Sequence, residues 1–295
     1  MRFSNQAMRH SAKRLKHHYE RLSRWLILGL GVFLFGSAVA VYLYGDIEAR
    51  YLWHQWQEPY LAIALARSDA PLLMEIGNYY YGTVIAGNAK PQYNPVLTER
   101  AFAKAVAIEP GILWGHYSLA RIAFVRGDFN TALKEINAEL AANPENLRAL
   151  YIRGLIYGYR KLPGDLYLAE RDFTRFTEWA PSEWAGWNDL AWILAKEGKY
   201  REMKAVAERA FTRVPEAEAN PWLWNSLGVA RLNLGDMSGA KVAFERALEY
   251  GSRLTLTDWR RAYSGNSPAN DQSGLGAFIA GLEKNLAAVD YVIAR

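Results

Sequence analysis

Pro221-Trp-Leu-Trp224-Asn-Ser-Leu227-Gly228-Val-Ala-Arg-Leu-Asn-Leu-Gly235-Asp236-Met-Ser-Gly-Ala240-Lys-Val-Ala-Phe244-Glu-Arg-Ala247-Leu decides how this 295-residue chain is read. Apolar residues recur at helical spacing on both sides of Gly235-Asp236, so the stretch reads as two amphipathic helices joined by a tight turn. Small residues at Gly228, Ala240 and Ala247 let two antiparallel helices approach, while Trp224, Leu227 and Phe244 fill the space beside the crossing. The pattern recurs along the chain. Ile108-Glu109-Pro110, Ala142-Asn143-Pro144, Trp179-Ala180-Pro181 and Arg213-Val214-Pro215 each close an alanine-rich amphipathic stretch, and the prolines are spaced 34, 37 and 34 residues apart. Proline ends a helix because it lacks the N–H and clashes with the preceding turn. One such hairpin cannot bury its apolar face, so several stack in series.

The period and the residues together resemble the tetratricopeptide repeat (TPR) family, whose pattern is W-x-x-L-G, a turn, then A-x-x-x-F-x-x-A. The other units match with departures. Leu119, Gly127-Asp128, Ala132 and Pro144 mark one; Gly154, Tyr157, Ala169, Phe173 and Pro181 the next; Trp187, Leu190, Ala191, Gly198, Tyr200, Ala210 and Pro215 a third. A degenerate first unit reads Leu73, Ile76, Gly77, Tyr80, Phe102, Ala105 and Pro110. The resemblance implies an all-α, right-handed solenoid of about five helical hairpins over 71–252. Extra residues fall at the turns: roughly 84–92 in the first unit, around Lys161 to Asp165 in the third, and near Glu216 to Asn220 before the last. Residues 253–295 read as a polar loop and an amphipathic helix from Leu275 to Ile293, suited to capping an open solenoid end.

At the other end the charge is polarised. Residues 1–24 carry seven Lys/Arg against Glu20, so they hold +6 of the chain's net +5 and leave the body near −1. A near-neutral body gives no electrostatic footprint for a phosphate backbone, which argues against a nucleic-acid partner. Residues 25–44 follow without a single charge: Trp25 to Tyr44, 20 residues. At roughly 1.5 Å per residue they span about 30 Å, the thickness of a bilayer core. The reading is a single N-terminal transmembrane helix behind a basic cytoplasmic tail, in the inner (cytoplasmic) membrane of a bacterial-type cell, with everything beyond it extracytoplasmic. Ala38-Val39-Ala40 also resembles a signal-peptidase site, so a cleaved leader is the competing interpretation. The tail itself serves either as an interfacial helix on anionic lipid or as a topology signal alone. Residues 45–70 carry apolar side chains at helical spacing (Tyr51, Leu52, Trp56, Leu61, Leu65) and read as a linking, packing helix that Pro59 kinks or restarts.

Reactive chemistry is sparse. Cysteine is absent, which removes disulfides, thiol catalysis and thiolate-ligated metals. None of the five histidines sits at metal-ligand spacing, and no phosphate-binding, dinucleotide or nucleophile-elbow motif occurs. Carboxylates such as Glu170 and Asp172, or Asp189 near Glu183, read as a solvated helix face. The expectation is a non-enzymatic chain with no cofactor and no metal.

What remains is the concave face, which in the TPR family is formed by the first helix of each repeat. Carried across, the resemblance places Trp114, Tyr117, Arg121 and Phe124 there in the second unit, Arg148, Tyr151, Leu155 and Tyr159 in the third, Asn188, Trp192 and Lys196 in the fourth, and Trp222, Asn225 and Asn233 in the fifth. The carboxylate clamp of co-chaperone members is not present as a set, since the first unit offers Met74 and Asn78. An aromatic face with Arg121, Arg148 and Lys196 among the rings implies a protein or peptide ligand, of apolar or amphipathic character in preference to an acidic tail. The same rings could instead pack against the flanking helices. The function expected is a membrane-anchored scaffold for protein–protein interaction on the extracytoplasmic side. The alternatives are a chaperone-like client-binding factor for envelope or cytochrome biogenesis, or an accessory subunit of a larger envelope complex.

Overall fold

The computed structural model describes residues 2–81, 93–262 and 271–294; the side chains of 2–18, 20, 38, 40–43 and 271 lie outside that description. The chain divides into two compact units, residues 1–76 and 77–295.

In the first unit α1 (Arg2–Trp56) is one helix through the basic tail and the apolar run. Trp25 to Ser37 are exposed throughout, with Leu26 at 71% and Phe35 at 73%. Among the described residues no helix is long and apolar enough to cross a membrane. The side chains of Ala38 and of residues 40–43, which include part of the possible cleavage site and Tyr42, lie outside the described residues. The helix stops where Gln57 takes a left-handed φ of 53°, and α2 (Pro59–Leu65) starts with Pro59 in the first turn, where its missing N–H costs nothing. Proline therefore restarts the chain here. Polar ties hold the segment together: Asp46 accepts from the Arg67 and Ser68 backbone N–H groups at 2.5 and 3.1 Å, Arg50 donates to Asp69, and Trp53 Nε1 donates to Glu75 at 2.7 Å. The helix α3 (Ala70–Tyr81) spans the division between the units.

The second unit contains α4 (Pro95–Ile108) and four hairpins: α5 (Gly115–Val125) with α6 (Phe129–Ala142), α7 (Leu147–Arg160) with α8 (Asp165–Trp179), α9 (Trp184–Lys196) with α10 (Tyr200–Arg213), and α11 (Pro221–Asn233) with α12 (Met237–Gly251). Two further helices follow, α13 (Leu256–Ala262) and α14 (Asp271–Ile293), and no strand occurs among the described residues. The boundaries follow from local chemistry. A residue before proline is pushed out of the α region, and Glu109, Asn143 and Ala180 leave it at φ of −133°, −130° and −127°. The Gly-Asp turns work in two steps. Gly127 and Gly235 adopt φ of 77° and 82°, which glycine does without strain, and the aspartates that follow cap the next helix. Asp128 accepts from the Thr131 N–H at 3.1 Å and Asp236 from the Gly239 N–H at 2.9 Å.

Each hairpin closes over a small residue. A Cβ on Gly228 would sit 2.5 Å from the fully buried Phe244 ring, and one on Gly154 would sit 2.9 Å from Phe173. Successive helices pack in chain order, and the first helices also touch one another, α5 with α7, α7 with α9 and α9 with α11. Those four helices form the inner layer. Of the extra residues, Lys161 to Gly164 make the turn into α8, and Ala217–Ala219 form one turn of 3₁₀ helix before α11. The 84–92 insertion lies outside the described residues, as do residues 263–270 between α13 and α14. At the C-terminal end α14 lies against α12, with Val289 joining Ala240 and Phe244 in one apolar cluster.

Candidate functional site

The inner layer carries an aromatic strip whose members have different fates along the solenoid. At its N-terminal end Trp114 is held at a left-handed φ of 72° just before α5, with its ring edge-on to Tyr117 at 5.1 Å. The anchor for both is Glu139 of α6, a fully buried carboxylate. It accepts from the backbone N–H groups of Trp114 and Tyr117, both at 3.1 Å, and from the side-chain amides of Asn143 and Asn146 at 3.1 and 2.9 Å. Negative charge at the start of α5 complements the helix dipole. Arg121, one turn on, lies 4.6 Å from the Tyr81 ring centre and 5.4 Å from that of Tyr117, a cation–π arrangement that fixes its stem while leaving its charge on the inner face.

Between α5, α7 and the start of α9 lies a cavity of about 420 Å³. Tyr117, Arg121 and Phe124 line it from α5, and Arg148, Tyr151 and Leu155 from α7. Phe176, Glu183 and Trp184 complete one wall, and Arg261 and Ala262 reach it from the end of α13. Tyr151 is the central floor residue. Its ring packs on Phe173 and Phe176 with centres 5.6 and 5.1 Å away, and its hydroxyl donates to Asp189 Oδ2. Asn188 Nδ2 donates to the other Asp189 oxygen at 3.1 Å, and Ser226 Oγ donates to Asn188 Oδ1. Burial pushes the Asp189 carboxyl up to about 6, and the hydrogen bonds from Tyr151 and Asn188 only partly oppose that rise. Asp189 thus sits inside the hydrogen-bonded floor and not on a solvated face.

A second aromatic cluster adjoins Phe124. Tyr159 is 51% exposed and meets Phe124 at 5.5 Å and Trp192 at 5.0 Å, and Lys196 Nζ sits 4.6 Å over the Trp192 ring. Burial and the nearby Lys161 charge lower the Lys196 pKa.

The C-terminal part of the strip is closed by the chain itself. Trp222 is stacked between Trp184 at 4.6 Å and Phe278 of α14 at 5.3 Å, with Trp259 of α13 at 6.5 Å. Asn225 accepts from Asn285 of α14 at 3.0 Å. The structure therefore brings Tyr117, Arg121, Phe124, Arg148 and Tyr151 to one open cavity, with Trp114 against Tyr117, while Tyr159 and Trp192 form a separate cluster that meets the cavity only through Phe124. It draws Asn188 into the floor network and ties Asn225 to α14, so the aromatic face lines a cavity at one end and packs internally at the other. Glu139 and Arg261 take part without having been singled out in the sequence, and Phe278 comes from the apolar face of the C-terminal helix expected to cap the solenoid. For Glu139 a signal existed, since it continues the buried stripe Ala132, Ile136 of α6 at i, i+4 and i+7.

Helical hairpins in series, small-residue crossings and an inner groove give the chain the fold of a tetratricopeptide-repeat-like solenoid. Residues 223–250 match the family model described as tetratricopeptide repeat. Among curated proteins, the Protein FlbA of Caulobacter vibrioides is 28% identical over 154 residues, which is 52% of this chain and 24% of FlbA, so this match spans about a quarter of that relative's length. Two solved structures share the fold at a TM-score of 0.52. YrrB, described as a TPR protein with an unusual peptide-binding site, is 15% identical over 66% of this chain and 93% of its own. PilW, described as a widely conserved type IV pilus biogenesis factor, is 13% identical over 76% of this chain and 99% of its own.

Proposed function

We propose that this chain is a non-enzymatic, membrane-anchored TPR scaffold that holds a protein or peptide segment in the groove between α5, α7 and α9 on the extracytoplasmic side. The observation that carries the binding role is the cavity of about 420 Å³, floored by Tyr151 and walled by Phe124 and Phe176. Partly buried rings such as Tyr151 and Phe124, which pack on the core with one face and line the cavity with another, with arginines beside them, are what an interface anchor site requires. The likeness to YrrB, described as having a peptide-binding site, agrees with this role. Anchoring rests on the uncharged run 25–44 behind a +6 segment and on the exposure of Trp25 to Ser37 in α1. Contiguous apolar surface of that extent is costly in water.

A photo-crosslinking amino acid at Leu155, compared with one at Glu208 on α10, tests the binding role in intact cells. Crosslinking of a discrete partner from 155 and not from 208 is expected; equal labelling or none would refute the groove. Protease added to spheroplasts tests the topology. Residues beyond 45 should be digested while an N-terminal tag is spared, and a protected repeat region would contradict the extracytoplasmic placement.

A further inference from the structure

The body of the chain is close to neutral, yet its groove is not. Arg121, Arg148 and Arg261 line the cavity against the single rim carboxylate Glu183. Asp189, the next acidic group inward, has both oxygens engaged by Tyr151 and Asn188 within the floor. Other arginines of the same unit are neutralised: Arg126 holds Glu99 at 2.6 Å, and Arg153 and Arg160 hold Asp172 and Asp165 at 2.7 Å each. Arg148 and Arg261 make no salt bridge among the described residues; Asp258, one turn before Arg261 on α13, interacts with it only through space, its carboxylate accepting from the Thr255 N–H and hydroxyl. The three cations also come from three elements. Arg121 belongs to α5 and Arg148 to α7, but Arg261 belongs to α13, outside the repeats, and is brought over the groove because Trp259 and Phe278 pack on Trp222. A segment that folds back to close one end of the inner face thus also adds charge to the end left open.

We infer that the groove's partner is an acidic amphipathic segment, with Asp or Glu side chains meeting Arg148 and Arg261 while an aromatic or aliphatic residue seats on Tyr151, Phe124 and Phe176. Charge complementarity selects this occupant. Guanidinium groups pair with carboxylates in fork geometry, and like-charge contact repels basic segments. Recognition comes from side chains along the segment and needs no free C-terminus. This inference rests on the groove being the binding site, and the experiment separates the two.

Randomised twelve-residue peptides displayed on phage are selected on the full chain in mild detergent, in parallel with selections on Tyr151→Ala and on the double variant Arg148→Glu/Arg261→Glu. Wild type should enrich peptides rich in Asp, Glu and aromatic or aliphatic residues and poor in Lys and Arg. Their affinity should fall at least tenfold in the double variant and weaken between 50 and 500 mM salt, and the double variant should itself enrich basic peptides. Circular dichroism confirms that the variants fold. Enrichment of neutral or basic peptides on wild type, or acidic peptides unaffected by the double variant, would overturn the inference while leaving the groove intact. If Tyr151→Ala enriches the same peptides as wild type, the groove itself is not the site and both readings fall.

Discussion

Replacing Glu139 should unfasten the entry of α5 and with it the N-terminal wall of the groove. The carboxylate accepts four hydrogen bonds, two from backbone N–H groups and two from asparagine amides. Each hydrogen bond to a charged group contributes about 1.5–3 kcal/mol net, but the sum overstates the loss, because water can reach some donors after truncation. Trp114 is 37% exposed and Asn143 half-buried, so their donors can be resolvated, whereas Tyr117 and Asn146 are 8% exposed and cannot. Two stranded buried donors give about 3–5 kcal/mol for Glu139→Ala. Glu139→Gln retains one carbonyl oxygen and turns the other position into a donor. If the carbonyl keeps the three bonds made by Oε1, the new NH₂ faces the Tyr117 N–H, and the cost is about 1–3 kcal/mol. Repeat arrays unfold in segments, so a single melting curve blurs the result. Native-state hydrogen exchange resolved to the amides of residues 114–121 reads it directly. Protection there should fall about tenfold or more in Glu139→Gln and be lost in Glu139→Ala, with α11 and α12 unchanged. Unaltered protection in Glu139→Gln would refute the assignment of this carboxylate as the fastening group.

Two further predictions concern other layers of the structure. Phe244→Ala should destabilise the last hairpin by about 3–5 kcal/mol and Gly228→Leu by about 1–3 kcal/mol, measured by urea denaturation, because one empties a fully buried site and the other overpacks a 2.5 Å approach. Asp189 titrates near 6 in the folded chain and near its usual 3.8 when unfolded, so the folded state binds this proton more tightly, and stability falls as pH rises from about 4 to about 6. Asp189→Asn should remove about 1–3 kcal/mol of that decline and be the more stable form at pH 7.5. An identical pH profile in both proteins would show that burial does not govern this group.

The repeat architecture was legible because its determinants are local. Pro110, Pro144 and Pro181 force the preceding residue out of the helix, Gly127-Asp128 and Gly235-Asp236 encode turn and cap within two residues, and the small-residue crossings recur near the family period. The groove was legible only in part. Tyr117, Arg121, Phe124, Arg148 and Tyr151 could be placed on the inner face from their positions in the first helices. Which of them remain open depends on the docking of α13 and α14, and that rests on Trp222, Trp259 and Phe278 meeting across up to 56 residues of sequence with no periodicity to announce it. The Tyr151–Asp189 bond, between residues 38 apart, is hidden in the same way. A carboxylate on a helix reads as solvated until a partner from another repeat is seen beside it.

The absence of cysteine allows the most direct test. Single cysteines introduced at Arg148, Leu155 and Asn225 in the otherwise thiol-free chain can be timed against a small maleimide, with and without a peptide selected on the groove. An inner face open between α5 and α9 and sealed by α14 at α11 predicts rapid labelling at 148 and 155, slowed at least tenfold by the peptide, and slow labelling at 225 that the peptide does not change. Fast labelling at 225, or labelling at 148 and 155 that bound peptide leaves untouched, would contradict it.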